Sequence, residues 1–301
     1  MSGDLGYDAL PPIRRARGYR LYDAEGRRFF DMYLDGGSAI LGHRPEHMLR
    51  SLKSSAAKGL WAAFPGKDLP RLKKAIARLC VPISGMAGKR GYKAPPSVHL
   101  FRNRERLLAF CASAKLVDPM TLSVAECRSA VERGALLLWR PFASDFWERL
   151  LGDESLEMPE DLRIVPVIPV PGDFAPWALF SLRRIEETPS CDYGNEDPIS
   201  ASVAALTATA VHDLLRKVEE PGPLWPSFAE EAVSSLLWKR IGPYLVWKLD
   251  RDSYALFRAS ALKRRIVLPP SPDVPAIIPF SATEGEVQSF LRIEEEFHGN
   301  L

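Results

Sequence analysis

The sequence predicts an α/β protein: a mostly parallel central sheet with helices on both faces. Three observations on its 301 residues carry this. Between residues 98 and 182, short strands that are apolar throughout alternate with helical stretches, as expected of strands buried on both faces. An alanine-rich helix follows at residues 198–218. A stretch rich in Gly, Pro and Lys, residues 82–96, separates this region from the N-terminal part.

The elements follow in order. Residues 19–22 and 28–33 alternate around the Asp23-Ala24-Glu25-Gly26 turn and predict a β-hairpin. Pro45 suits a first helical turn, and Met48, Leu49 and Leu52 begin the apolar stripe of a helix running to about residue 58. Leu72, Ile76 and Leu79 share one face of a helix over 69–79. A strand at 98–101, helices at 104–115 and 124–133, and a strand at 135–139 come next, then a helix at 144–151 and strands at 164–170 and 177–182. Beyond Pro221-Gly222-Pro223 we expect a helix at 228–240, a strand at 244–249 and a helix at 253–263. Extended segments at 266–268 and 276–280 precede a final helix, opened by a capping-box pattern at Ser281-Ala282-Thr283-Glu284. Trp139, Trp177 and Trp247 fall within predicted strands and are expected in the core.

Composition excludes several classes of function. With 40 basic against 38 acidic residues the net charge is +2, and the basic clusters are short, so neither nucleic acid nor a membrane surface is an expected partner. The apolar runs at 135–139 and 164–170 fall far short of the roughly 20 residues of a membrane span. The N-terminus has no signal-peptide pattern, and four cysteines without a CxxC pair suit a reducing, cytoplasmic setting. His43 and His47 alone make a weak metal pair, so no metal is expected. Ser38 and His43 could serve as nucleophile and base, but they lie in a small-residue segment better suited to a structural role.

That segment carries a resemblance. Gly18-Tyr19-Arg20-Leu21-Tyr22-Asp23-Ala24-Glu25-Gly26, then Phe29-Phe30-Asp31, then Gly36-Gly37-Ser38-Ala39-Ile40-Leu41-Gly42-His43-Arg44-Pro45, resembles the N-terminal segment of class III aminotransferases. These are fold-type-I pyridoxal-phosphate enzymes, and the glutamate-semialdehyde aminomutases belong with them. Phe257 through Pro272 with Ile277-Ile278-Pro279-Phe280 resembles the family's closing small domain, and Gly194-Asn195-Glu196-Asp197-Pro198 resembles its entry into an alanine-rich helix. The resemblance implies a small α+β domain made from both chain ends: residues 1–85 as its N-terminal segment, 86–220 as a shortened large domain, and 221–301 as its C-terminal part. It also implies a homodimer.

The family's chemistry needs a lysine for the Schiff base, an acid on the cofactor's ring nitrogen and a nest for its phosphate. The resemblance places Arg183 at the lysine position, and arginine keeps its proton at any working pH. No lysine occurs between Lys115 and Lys217. The strand at 164–170 offers no acid before Asp173. The phosphate loop reads Arg102-Asn103-Arg104-Glu105-Arg106 with no glycine, which leaves Asn103 and Arg104 as a vestigial phosphate site. The expectation is a pseudoenzyme that has lost catalysis, with no cofactor bound and a binding or regulatory role toward a small-molecule or anionic ligand. The alternatives are an active pyridoxal-phosphate enzyme using Lys93, Lys115 or Lys248, or a cleft turned to other small-molecule chemistry.

Overall fold

The structure is a computed structural model and describes residues 7–80, 97–112, 114–143, 146–147, 162–181, 196–219 and 236–299. The strands, in chain order, are β1 (Ile13–Arg17), β2 (Arg20–Asp23), β3 (Arg28–Asp31), β4 (Ser97–Phe101), β5 (Leu116–Val117), β6 (Leu136–Trp139), β7 (Arg163–Pro166), β8 (Trp177–Ser181), β9 (Trp238–Ile241), β10 (Tyr244–Trp247), β11 (Ile266–Val267) and β12 (Ala276–Ile277). The helices are α1 (Glu46–Ala57), α2 (Asp68–Leu79), α3 (Arg104–Phe110), α4 (Val124–Glu132), α5 (Ala201–Glu219), α6 (Arg251–Lys263) and α7 (Glu284–His298).

The chain divides into two compact units, Met1–Pro45 with Glu219–Leu301, and Glu46–Val218. The first boundary therefore falls at Pro45, not at residue 85 as the sequence suggested. The reason is α2: it buries Leu72, Ala75, Ile76 and Leu79 and packs on β4 and β8 of the second unit.

The unit built from the chain ends holds two sheets. One has the order β1-β2-β3-β11, with β11 parallel to β3; the other is antiparallel, β12-β10-β9. Its core gathers Trp238, Trp247, Phe257 and Phe290 with Tyr254 and Leu245, and Trp238 meets the Trp247 ring at 4.9 Å. Aromatic area of this kind is a large hydrophobic contribution in a unit with short strands. α7 opens on a capping box in which Thr283 and Glu286 satisfy each other's backbone N–H groups. Gly42 is required near its N-terminal edge. At φ +90° a Cβ there would meet the Gly18 carbonyl oxygen at 3.1 Å, and the His43 N–H donates to that same carbonyl.

The second unit holds the predicted central sheet, in the order β4-β8-β7-β6-β5. β5, β6 and β7 are mutually parallel, and β8 is antiparallel to both β7 and β4. Four of its five strands thus run one way. β6, β7 and β8 are almost wholly buried, which explains their apolar runs at 136–139, 164–166 and 177–180; Arg163 and Ser181 are buried polar exceptions. Phe101, Leu107, Phe110, Leu136, Val165 and Leu179 form the core between the sheet and α3. α5 buries Ala204, Ala208, Val211 and Leu214, and its alanines allow close approach.

Several predicted elements change. β1 was not anticipated; its residues are mostly exposed and lack an apolar alternation. The helix expected at 104–115 stops at Phe110, Ala112 turns at φ +50°, and Leu116–Val117 becomes β5. The strand expected at 164–170 ends at Pro166, where successive prolines remove ladder donors. The C-terminal end of the helix expected at 228–240 is instead β9, a hairpin partner of β10 joined at Gly242-Pro243; residues 220–235 lie outside the described residues, as does most of the helix expected at 144–151.

Candidate functional site

Strand direction defines one edge of the central sheet. β4, β5, β6 and β7 end there and β8 begins there, because β8 alone runs the other way. In open α/β sheets ligands bind outside the carboxyl ends of the strands. The residues that follow these ends are Arg102 and Asn103 after β4, Asp118 after β5, Arg140 after β6 and Val167 after β7. Lys115 precedes β5 and so lies at the opposite edge.

The charges at this edge pair with one another. After β4, the Asp197 carboxylate accepts the Arg102 backbone N–H at 2.9 Å and the Arg106 guanidinium from Nε at 3.0 Å and Nη2 at 2.9 Å. Asp197 is tied to the sheet by its own N–H, donated to the Leu100 carbonyl. The Arg106 hydrogen bonds hold the Asp197 carboxyl below the usual range and push the guanidinium up. Next to it, Glu196 accepts from Lys73 Nζ at 2.7 Å and pairs with His99 Nδ1 at 3.1 Å. Burial would raise the Glu196 carboxyl, but the bonds to His99 and Lys73 outweigh it and its pKa is lowered. After β5 and β6, Arg140 donates through Nε to Asp118 Oδ2 at 2.7 Å, and both side chains are nearly buried. Asp118 also caps the following 3-10 turn by accepting the Met120 N–H.

The vestigial phosphate residues find other work. The Asn103 side chain accepts the Arg106 N–H at 2.9 Å and caps α3. The backbone N–H and guanidinium that could receive an anion already hold Asp197. Arg104 is exposed. Arg183 lies outside the described residues. β7 and β8, the strands expected to present the acid and the lysine position, pair antiparallel through Arg163↔Ser181 and Ile164↔Phe180. Their carboxyl ends therefore lie at opposite edges of the sheet. Asp173 sits in the 3-10 turn Gly172–Phe174 that joins them. Lys93 is outside the described residues, and Lys248 follows β10 in the other unit. The described residues at this edge offer pyridoxal phosphate neither a lysine nor a free anion cradle.

Ser38 and His43 do not pair as nucleophile and base. Ser38 Oγ donates to Asp35, whereas His43 Nε2 binds the buried Asp31 carboxylate at 2.7 Å. Asp31 also accepts the Tyr7 hydroxyl and the Tyr33 and Leu34 N–H groups, a structural knot that pins the strained Leu34-Asp35 backbone. Burial, then the Asp31 charge, pushes the Tyr7 hydroxyl pKa upward. His47 bonds to Asp213 instead of sharing a ligand with His43. No His, Cys, Asp and Glu cluster among the described residues could hold a metal.

Sequence reasoning missed Asp118, Arg140 and Asp197. A clue was available for the first two: each is a charged residue directly ending an apolar strand, Leu116-Val117-Asp118 and Leu136-Leu137-Leu138-Trp139-Arg140. Asp197 carried none, because its partners lie 91 and 95 positions away.

Beside this edge a pocket of about 440 Å³ opens within the same unit. Trp61, Phe174, Pro176, Ile199 and Val203 contribute apolar wall, and Arg102 supplies the charge.

The fold is aminotransferase-like, as alignments with solved structures show. The chain aligns with an ornithine delta-aminotransferase of Plasmodium falciparum at a TM-score of 0.58 and 15% identity, covering 100% of this chain and 97% of that one. It aligns with an omega-transaminase of Sphaerobacter thermophilus at a TM-score of 0.60 and 13% identity, covering 96% and 90%. In sequence it is 23% identical to an uncharacterized protein of Treponema pallidum (strain Nichols), over 94% of each chain. A segment of 71 residues is 32% identical to a glutamate-1-semialdehyde 2,1-aminomutase of Cutibacterium acnes, covering 24% of this chain and 16% of the aminomutase. No family model matches the sequence.

Proposed function

We propose that this protein keeps the aminotransferase fold as a binding or regulatory scaffold and has lost pyridoxal-phosphate catalysis. The observation that carries this is the lysine-free carboxyl edge: no residue following β4, β5, β6 or β7 is a lysine, and the sequence has none between Lys115 and Lys217. In a working enzyme the cofactor supplies the electron sink for amine chemistry and is anchored by a lysine imine. The paired charges support the same reading, because Asp197 fills the anion cradle and Arg140 stands bound to Asp118. A homodimer is part of the proposal, following the resemblance of residues 36–42; light scattering at micromolar concentration tests it, and a monomer mass refutes it. A cytoplasmic setting is part of the same proposal; Cys80, Cys111 and Cys127 are buried. No helix among the described residues is long and apolar enough to cross a membrane.

The deciding experiment incubates the protein with pyridoxal phosphate, records imine absorbance, reduces with borohydride and maps each lysine by mass, Lys93 included. The expected result is no stoichiometric adduct. One lysine modified in full, with amine transfer from any donor, overturns the proposal.

A further inference from the structure

The pocket beside the carboxyl edge has features that the charge pairs do not explain. Trp61 is 64% exposed and Phe174 60%, although large aromatic side chains on a soluble surface are normally covered. Their supports are fixed. The Ala201 N–H donates to the Ala62 carbonyl at 2.9 Å and the Ser202 N–H to the Leu60 carbonyl at 2.9 Å, tying the Trp61 loop to the start of α5. The Ser202 hydroxyl adds a bond to the same Leu60 carbonyl. A preformed, mostly apolar cavity of about 440 Å³ with one polar anchor lies within the size range of small-molecule sites.

Arg102 is that anchor. Its Nε donates to the Pro198 carbonyl at 3.3 Å, which orients the guanidinium, and its terminal nitrogens make no hydrogen bond among the described residues. Its backbone N–H is committed to Asp197, whose negative charge lies close by. The nearby N–H groups of Ala201, Ser202 and Val203 are already used by Ala62, Leu60 and Ser200. One guanidinium beside a fixed carboxylate can hold a single negative charge. A phosphate dianion would need several donors and would be repelled by Asp197.

We infer that this pocket binds a small apolar monocarboxylate, with its hydrocarbon or aryl body against Trp61 and Phe174 and its carboxylate on the Arg102 guanidinium. This rests on the reading of the carboxyl edge as a binding site, and it can fail while that reading stands.

The test is titration calorimetry of the full-length protein with 3-phenylpropanoate and with its neutral amide, 3-phenylpropanamide. A charge-assisted bond should make the acid bind roughly tenfold tighter than the amide. Arg102→Gln should bring the acid down to the affinity of the amide and leave the amide unchanged, whereas Arg102→Lys should keep part of the preference. Trp61→Ala should weaken both ligands, and Arg104→Gln, outside the pocket, should change neither. Equal binding of acid and amide, a preference that survives Arg102→Gln, or no heat from either ligand overturns the inference. So does a Trp61→Ala variant that loses dimer mass while the wild type binds neither probe, because the aromatic patch is then an interface. The lysine-adduct experiment is independent of every one of these outcomes.

Discussion

Breaking the Asp118–Arg140 pair tests whether the sheet edge is held by its own charges. Both partners are nearly buried, with 3% of the Arg140 side chain and 10% of the Asp118 side chain exposed, and they meet at 2.7 Å. Asp118→Asn keeps an oxygen for the Met120 N–H but removes the charge that meets Arg140 Nε. Removing one partner of a buried pair costs about 3–5 kcal/mol. For a unit of this size that is a fall of roughly 6–20 °C in Tm. Arg140→Met removes the cation and fills the volume, so adding it to Asp118→Asn should recover much of the loss. The double-mutant cycle should then give a coupling of about 2–3 kcal/mol. Two units need not unfold together, so the assay is hydrogen exchange of peptides from β5 and β6 across a urea series, read beside a β10 peptide as control. Losses that add to within about 0.5 kcal/mol would show that the two charges do not support each other, and the reasoning fails.

Three further outcomes are expected. Glu286→Gln should destabilise the chain-end unit by on the order of 2 kcal/mol near neutral pH: burial pushes the Glu286 carboxyl up, but Arg20 and Thr283 bind it strongly enough to lower its pKa. A carboxyl lowered on folding stabilises above its unfolded value of about 4.3 and loses this as pH falls through the folded value. The deficit of Glu286→Gln in urea melts should therefore shrink below about pH 4, and one that stays constant from pH 7 to 3 refutes the ion-pair account. Gly42→Ala should cost more than about 1 kcal/mol, since it meets both a positive φ and the Gly18 carbonyl; an unchanged melting curve contradicts this. Arg183→Lys should show no amine transfer from any donor, because the sequence supplies no acid on the strand before it and no glycine nest after β4; measurable turnover would refute it.

Much of the fold was legible because its code is local. The hairpin of β2 and β3 shows in an alternating pattern around Gly26, the buried strands β6 and β8 in apolar runs, and α7 in a capping pattern, read at residues 281–284 and formed two residues later by Thr283 and Glu286. Elements with weak local codes were not legible: β5 is a two-residue strand, and β9 is rich enough in Trp, Lys and Arg to pass for a helix end. The direction of β8 was hidden as well. Its side-chain pattern is the same whichever way it runs, so the sequence alone put its far end on the same side as the end of β7.

The hidden direction changes how the proposed loss of chemistry is read. Read from the sequence, the defect is a set of missing residues: no lysine, no acid, no glycine nest. In the structure the corresponding edge is not vacant of charge but closed on itself, with Asp197 across Arg102 and Arg106, Asp118 across Arg140, and Glu196 across Lys73 and His99. A cofactor dianion entering here would first have to displace a carboxylate already held by hydrogen bonds and opposite charge, and then leave that carboxylate desolvated beside it. On the proposed reading, restoring one group should therefore not restore binding, because the groups described at this edge are satisfied by their neighbours. What stays open is the apolar space next to Arg102, where one guanidinium still has donors to give.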